Sequence, residues 1–222
     1  MSNSYSPVRE PLLAAERARI CDYGRRMAGD RLVVGSSGNI STRTGDLVAV
    51  TPTGIEYAEL TPDLISVIGM DGRHLDGAPP TSEVPLHLAL YNTRPIGAVV
   101  HTHAVHATAA SMLVDQLPPV HYMLALFGGA VRVAPYATFG TAELAASALG
   151  ALGDRFGCLL ANHGAVTVGA NLPAAYDRAV QLEWLCQVWL AARTAGQPRH
   201  LPPGELARTT ELMRGYGAAG RE

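Results

Sequence analysis

The sequence contains no lysine; all 17 of its basic residues are arginine. Without an ε-amino group the chain cannot form a lysine Schiff base with a carbonyl substrate, so lysine-based imine catalysis is excluded. Cysteine is nearly as scarce. Cys21, Cys158 and Cys186 are odd in number, widely spaced and include no CxxC. Neither a disulfide framework nor a thiolate zinc site is indicated, which fits a reducing, cytoplasmic setting. Charged residues make up only 16%, with a formal net charge of -2. No basic excess points to nucleic acid or an anionic membrane, so any anionic ligand must be held by local groups. No apolar run is long enough to span a bilayer, and the stretch Met1 to Arg9 is polar, without the apolar core of a signal peptide.

The chain does have material for a core, with 48% hydrophobic residues in 222. That length suits one compact domain. With no internal repeat, low-complexity block or long linker, the expectation is a single domain over residues 1–222, ending in a mobile tail from about residue 205. So few charges on a chain of this kind suggest apolar surface covered between subunits.

Apolar periodicity and turn residues predict an α/β fold. Helices are expected over Leu12–Met27, Ser82–Tyr91, Ala104–Leu113, Thr141–Leu152 and from Pro173 through Ala192. Strands are expected at Leu47–Val50, Leu64–Met70, Ile96–His103, Val131–Val133, Cys158–Ala161 and Val166–Gly169. Gly35-Ser36-Ser37-Gly38-Asn39 reads as loop, and His74 and His200 as solvated.

The sharpest local signal is His101-Thr102-His103, which follows the apolar run Ala98-Val99-Val100. Residues two apart on a strand point to one face, so both imidazoles can converge on one ion at a strand end. His163, in Asn162-His163-Gly164, ends a second apolar strand and can supply a third ligand. His87, His106 and His121 compete for that place, and spacing alone does not choose. Three imidazoles with an open position suit a catalytic zinc ion, though imidazole also accepts other divalent metals.

Thr81-Ser82-Glu83 sets two hydroxyls and a carboxylate at a helix start. There Glu83 is either a helix cap or a general acid/base, and the hydroxyls and free N–H groups suit phosphate. Gly38-Asn39 and Thr53-Gly54 are further loops of small residues able to cradle an oxyanion, or simply ordinary turns.

Taken in order, Gly38-Asn39-Ile40-Ser41, Thr51-Pro52-Thr53-Gly54, Thr81-Ser82-Glu83, His101-Thr102-His103-Ala104-Val105-His106 and Asn162-His163-Gly164 resemble the class II aldolase/adducin family. His121-Tyr122-Met123, Ala134 to Thr141 and Tyr216-Gly217 are similar too, so the resemblance spans about Ala14 to Gly217. It implies a three-layer α/β/α sandwich around a mixed, largely antiparallel sheet, assembled as a homotetramer with sites between subunits. It also implies one Zn2+ per subunit on His101, His103 and His163, with Glu83 as acid/base and a possible fourth ligand when substrate is absent. The same resemblance gives Gly38, Asn39, Thr53, Gly54, Thr81 and Ser82 as a phosphate pocket. Tyr122 would be a proton donor reaching a neighbour's site, and Tyr216 would shape the aldehyde pocket. Thr81 departs from the serine often found there, but keeps the hydroxyl.

The implied reaction is retro-aldol cleavage of a ketose 1-phosphate, L-fuculose 1-phosphate or similar, to dihydroxyacetone phosphate and a small aldehyde. The alternatives on the same scaffold are cleavage of 5-deoxyribulose or 5-methylthioribulose 1-phosphate, a ribulose-phosphate 4-epimerase, a dehydratase and a non-enzymatic adducin-like module. Glu83 disfavours the epimerase, whose pattern has Asp at that position. The full set of three histidines and Glu83 disfavours the non-enzymatic module.

Overall fold

The computed structural model describes residues 12–216, with side chains to residue 213. Its centre is an eight-stranded sheet in the order β4-β3-β2-β1-β5-β8-β7-β6. The strands are β1 Asn39–Thr44, β2 Leu47–Val50, β3 Ser66–Gly69, β4 His74–Asp76, β5 Ala98–Thr102, β6 Val133–Ala134, β7 Gly157–Leu160 and β8 Gly164–Gly169. Every neighbouring pair is antiparallel except β6 with β7. The helices are α1 Ala14–Gly29, α2 Val84–Thr93, α3 Val105–Ser111, α4 Ala142–Leu152, α5 Leu172–Ala195 and α6 Glu205–Tyr216.

Strand alternation divides the apolar residues between two cores. Ala98 and Val100 of β5 join Ala49, Leu159 and the inner faces of α1, α3 and α5. Val99 joins Val48, Val50, Cys158, Leu160 and the inner faces of α2 and α4 on the other side. Helices on both faces of a mixed, largely antiparallel sheet make the three-layer sandwich that the sequence motifs imply. Ala98, Val99 and Val100 are all 0% exposed, so the strand carrying His101 is sealed on both faces. Each fully buried valine adds about 1.5–3 kcal/mol of hydrophobic stabilisation.

Most expected elements are present with ends shifted by a few residues. The main differences are β1, β4 and α6. β1 runs on from Asn39, where the sequence ends its loop, and is the central strand that pairs with both β2 and β5. Its polar composition hides it, because Ile40 is its only large apolar side chain. β4 has every residue exposed, so no burial pattern marks it. Where a mobile tail is expected from about residue 205, α6 forms and packs against the 3-10 turn Tyr122–Phe127. Among the described residues, no helix is long and apolar enough to cross a membrane.

Candidate metal centre and anion-binding cleft

β5 delivers His101 and, one residue past its end, His103. The backbone N–H of His103 donates to the Leu32 carbonyl, which ties the strand end to the loop after α1. His163 arrives on the turn between β7 and β8. Asn162 adopts φ 56 there, a left-handed conformation that asparagine tolerates. A Cβ on Gly164 would lie 2.0 Å from the Thr102 carbonyl oxygen, so only glycine lets β8 approach β5 so closely. Gly38, at φ +70, solves the same problem on the other flank, where a Cβ would meet the His101 carbonyl oxygen at 2.7 Å.

The three imidazoles form a near-equilateral triangle, with ring centroids 4.8 Å apart for every pair. Glu83 completes the group, and one ligand atom from each of the four residues lies within 4.8 Å of the others. His101 Nδ1 sits 3.0 Å from the Ala165 carbonyl oxygen, an acceptor, so that nitrogen carries the hydrogen. In a neutral ring Nε2 is then bare, yet it lies 3.0 Å from Glu83 Oε2 and 3.0 Å from His103 Nε2. Lone pairs that face one another in a buried site need a proton or a cation between them. Glu83 Oε1 is buried with no hydrogen-bond partner and lies 3.7 Å from His163 Nε2. Convergent nitrogen lone pairs and an orphaned carboxylate oxygen are a donor set that a divalent cation fits.

The electrostatics agree. Burial pushes His103 down to about 3 and His163 down to about 4, with His101 adding to both shifts and His163 to that of His103. Both imidazoles are therefore neutral, as ligands must be. Burial alone would lower His101, but the Glu83 carboxylate and the hydrogen bonds outweigh it and raise the net value. Burial likewise raises the Glu83 carboxyl, but His101, Asn39 and His163 more than offset this and hold it ionised, well below the ordinary range.

Of the competing histidines, His106 is bound to Glu183, with Nδ1 2.6 Å from Oε1. His121 rests on Tyr122 and Trp184. His87 is fully buried beneath the cleft, between Ser41 and Asn39. Only His163 joins the HxH pair. Glu83 occupies the N-cap position of α2 but makes no side-chain cap bond, and the Thr81 hydroxyl accepts its backbone N–H. The carboxylate turns instead towards Asn39, His101 and His163.

A cleft of about 260 Å³ opens beside this group. Gly38, Asn39, Thr53, Gly54, Thr81 and Ser82 line it together with Glu83, His103, His163 and Phe139. Among the described residues, no arginine lines it. Thr81 Oγ1 receives hydrogen bonds from Asn39 Nδ2 and the Glu83 N–H, each at 3.3 Å, which leaves the hydroxyl hydrogen free to donate. The Asn39 side-chain amide is committed to Glu83, Thr81 and His87, and its backbone pairs with His101 in the β1–β5 ladder, so Asn39 lines the cleft without a free side-chain donor.

Tyr122 lies elsewhere. It is half exposed and lines a separate hollow with His121 and Trp184, away from the three imidazoles of its own chain. The backbone of Tyr216 ends α6, and its side chain lies outside the described residues. Nothing in the sequence pattern marks Ser41, His87 and Tyr91 as the buried partners beneath Glu83. Nor does it mark Glu183, which accepts the backbone N–H groups of His106 and Ala107 and secures the start of α3 just after His103.

A mixed sheet between helical layers, with three histidines and a carboxylate meeting at one end, defines a metal-site α/β protein. Residues 18–190 match the Class II Aldolase and Adducin N-terminal domain. The chain belongs to this family. It is 39% identical over 210 residues to a 5-deoxy-D-ribulose 1-phosphate aldolase of Bacillus thuringiensis serovar kurstaki, covering 93% of this chain and 99% of that protein. It is 42% identical over 186 residues to the L-fuculose phosphate aldolase of Escherichia coli K12, covering 82% of this chain and 86% of that protein. A solved L-fuculose 1-phosphate aldolase superposes with a TM-score of 0.87 at 35% identity, covering 90% of this chain and 96% of that one.

Proposed function

We propose that the protein cleaves a ketose 1-phosphate by a retro-aldol reaction, giving dihydroxyacetone phosphate and a small aldehyde. The chain is an enzyme of the class II aldolase type, a lyase. One observation carries the reaction. The uncharged anion-binding loops and the histidine–carboxylate cluster line a single cleft, so a phosphate held at one end places a carbonyl at the other.

In this reading His101, His103 and His163 hold a zinc ion, with Glu83 as a fourth ligand when substrate is absent. The ion, when bound, supplies Lewis-acid stabilisation for the negative charge left by C–C cleavage, a task that no lysine is present to perform. The residues of the chain do the rest. N–H groups of Gly38 and Gly54, with the hydroxyls of Thr53, Thr81 and Ser82, anchor the phosphate in the pocket that Asn39 also lines, and fix the reacting carbons. In the condensation direction the ionised Glu83 carboxylate takes a proton from C3 of dihydroxyacetone phosphate, and the Tyr122 hydroxyl gives its proton to the aldehyde oxygen as the C3–C4 bond forms. Cleavage is the reverse: the C4 hydroxyl proton passes to the Tyr122 phenolate, the electron pair of the C3–C4 bond stays on the dihydroxyacetone phosphate fragment, and the Glu83 carboxyl protonates C3, the two groups exchanging protons with solvent between turnovers.

Because Tyr122 is remote from Glu83 within one chain, it would come from a neighbouring subunit. The exposure of Val105, Met112, Tyr136 and Phe139 supports this, since such apolar surface suits burial between copies. The assembly proposed is a homotetramer in the cytoplasm with its sites between subunits, and Tyr216 would shape the aldehyde end.

L-fuculose 1-phosphate is one substrate the relatives suggest; 5-deoxyribulose 1-phosphate, with 5-methylthioribulose 1-phosphate, is the second. The second reading has its own observation, in that the Bacillus relative aligns along almost its whole length. The test is release of dihydroxyacetone phosphate from fuculose, ribulose, 5-deoxyribulose and 5-methylthioribulose 1-phosphates, with and without chelator. Chelator-sensitive release is expected, and the ketose with the highest kcat/KM names the substrate. No release from any of them by metal-loaded protein would overturn the aldolase reading.

A further inference from the structure

Glu83, His87 and Tyr91 recur every four residues through α2 and the turn before it, so all three leave the helix on one side. Asn39 and Ser41, two apart on β1, share the strand face opposite to Ile40. The two rows interlock. Tyr91 Oη lies 2.8 Å from Ser41 Oγ, and Ser41 Oγ lies 2.6 Å from His87 Nδ1. His87 Nε2 lies 2.5 Å from Asn39 Oδ1, and Asn39 Nδ2 lies 2.8 Å from Glu83 Oε2. All five residues are buried.

Chemistry sets the direction of every hydrogen in this chain. An ionised carboxylate only accepts, so Asn39 presents its NH2 group to Glu83 and its carbonyl oxygen to His87. That oxygen also only accepts, so His87 carries its hydrogen on Nε2. Burial pushes His87 down to about 3, so the ring is neutral and Nδ1 is bare. Nδ1 therefore accepts from the Ser41 hydroxyl, whose oxygen accepts in turn from Tyr91. Four successive hydrogen bonds all donate towards Glu83. The chain engages Oε2 and leaves Oε1 without a hydrogen bond.

We infer that His87, backed by Ser41 and Tyr91, is a positioning residue that locks the Asn39 amide and thereby aims the Glu83 carboxylate into the cleft. The inference rests on the reading of Glu83 as the acid/base. Without the Nε2–H donor, the Asn39 amide is free to turn over and set its carbonyl oxygen against the carboxylate. Glu83 would then lose its hydrogen bond and its fixed orientation, while the phosphate loops stayed in place.

The test uses the full-length, metal-loaded protein with His87→Leu, His87→Gln and Tyr91→Phe. Leucine removes both hydrogen bonds, whereas glutamine can restore an N–H donor towards Asn39. Readouts are kcat, KM, bound metal, melting temperature and the imidazole 15N shifts of the unmodified protein. Those shifts should show His87 as the neutral Nε2–H tautomer. His87→Leu should lower kcat roughly 10–100-fold, keep its metal and change KM less than about threefold. His87→Gln should recover most of that kcat, and Tyr91→Phe should lose about two- to tenfold.

An Nδ1–H tautomer would overturn the inference, as would a His87→Leu protein with unchanged kcat. So would equal kcat losses in the leucine and glutamine variants that merely follow their melting temperatures. If His87→Leu does not fold, the tautomer and the other two variants decide. Glu83→Gln, assayed alongside, separates the two levels. Turnover retained there defeats the acid/base reading itself, whereas an inactive Glu83→Gln beside a fully active His87→Leu defeats only the positioning role.

Discussion

His101 Nε2 and Glu83 Oε2 stand 3.0 Å apart in a buried site, while the other nitrogen of His101 is committed to the Ala165 carbonyl. The carboxylate therefore faces either a second proton on the ring or a cation shared with it. His103 and His163 close the same triangle, and their depressed basicity makes them poor proton carriers and ready ligands.

His103→Ala deletes the imidazole whose Nε2 lies 3.0 Å from His101 Nε2. Bound zinc, measured by atomic emission after dialysis, and retro-aldol turnover should fall together, turnover by at least about 100-fold. Activity that survives in a metal-free preparation of this variant would remove the metal from the mechanism.

Glu83→Gln leaves three imidazoles and should keep most of its metal, while kcat drops by roughly 10²–10⁴-fold. Tyr122→Phe should also lower kcat with metal retained. Co-refolding the two inactive chains tests whether each site draws on two subunits. In a cyclic assembly a site recovers when its Glu83 and its neighbour's Tyr122 are both intact, so random mixing should restore about a quarter of full activity. Mixed assemblies with no recovery would place Tyr122 outside the neighbour's site.

His87 makes the metal-free protein sensitive to acid. Burial, the largest influence, lowers its value from 6.5 to about 3 in the folded chain. Between those values the unfolded chain binds a proton that the folded chain does not. The stability that His87 contributes is thus complete above pH 6.5 and is lost progressively as pH falls towards 3. The expected slope is about 1.4 kcal/mol per pH unit. Urea midpoints of the metal-free protein at pH 7 and pH 4.5 should differ more for the unmodified chain than for His87→Gln. Equal shifts would show that His87 takes up its proton without unfolding.

Gly164→Ala and Gly35→Ala separate close packing from backbone strain. The first would force a Cβ to 2.0 Å from the Thr102 carbonyl oxygen, between the strands that carry His101 and His163. It should cost more than about 2 kcal/mol and weaken metal binding. Gly35 has φ +59 but nothing within 4 Å of its Cβ position, so alanine there should cost only about 1 kcal/mol and leave metal binding unchanged. Similar melting temperatures for the two variants would contradict the close approach of β8 to β5.

The strands and helices were legible wherever burial stamps a period on the chain. The apolar run Ala98-Val99-Val100 and the stripe Leu182, Leu185, Cys186 and Trp189 on α5 are buried as that pattern demands. β1 was not legible, because on its face towards α2 and the cleft the buried side chains are Asn39 and Ser41, and Ile40 is its one large apolar residue. Hydrogen-bonded polar burial leaves no hydrophobic period to read. β4 is exposed throughout, and α6 depends on the surface beneath it for its contacts.

The absence of lysine, the His-Thr-His pair at the end of an apolar strand and the Thr-Ser-Glu helix start are facts of the sequence alone. Together they exclude lysine imine chemistry and mark a candidate metal-binding pair and, separately, a candidate anion-binding turn, because strand period and helix polarity act locally. The tertiary structure brought His163, rather than His87, His106 or His121, to the His-Thr-His pair, since that depends on which turn the sheet order sets beside β5. It also turned Glu83 from a possible cap into a member of the cluster and set His87 behind it. Both outcomes follow from the packing of α2 on β1, a contact between segments far apart in the chain that no local pattern encodes.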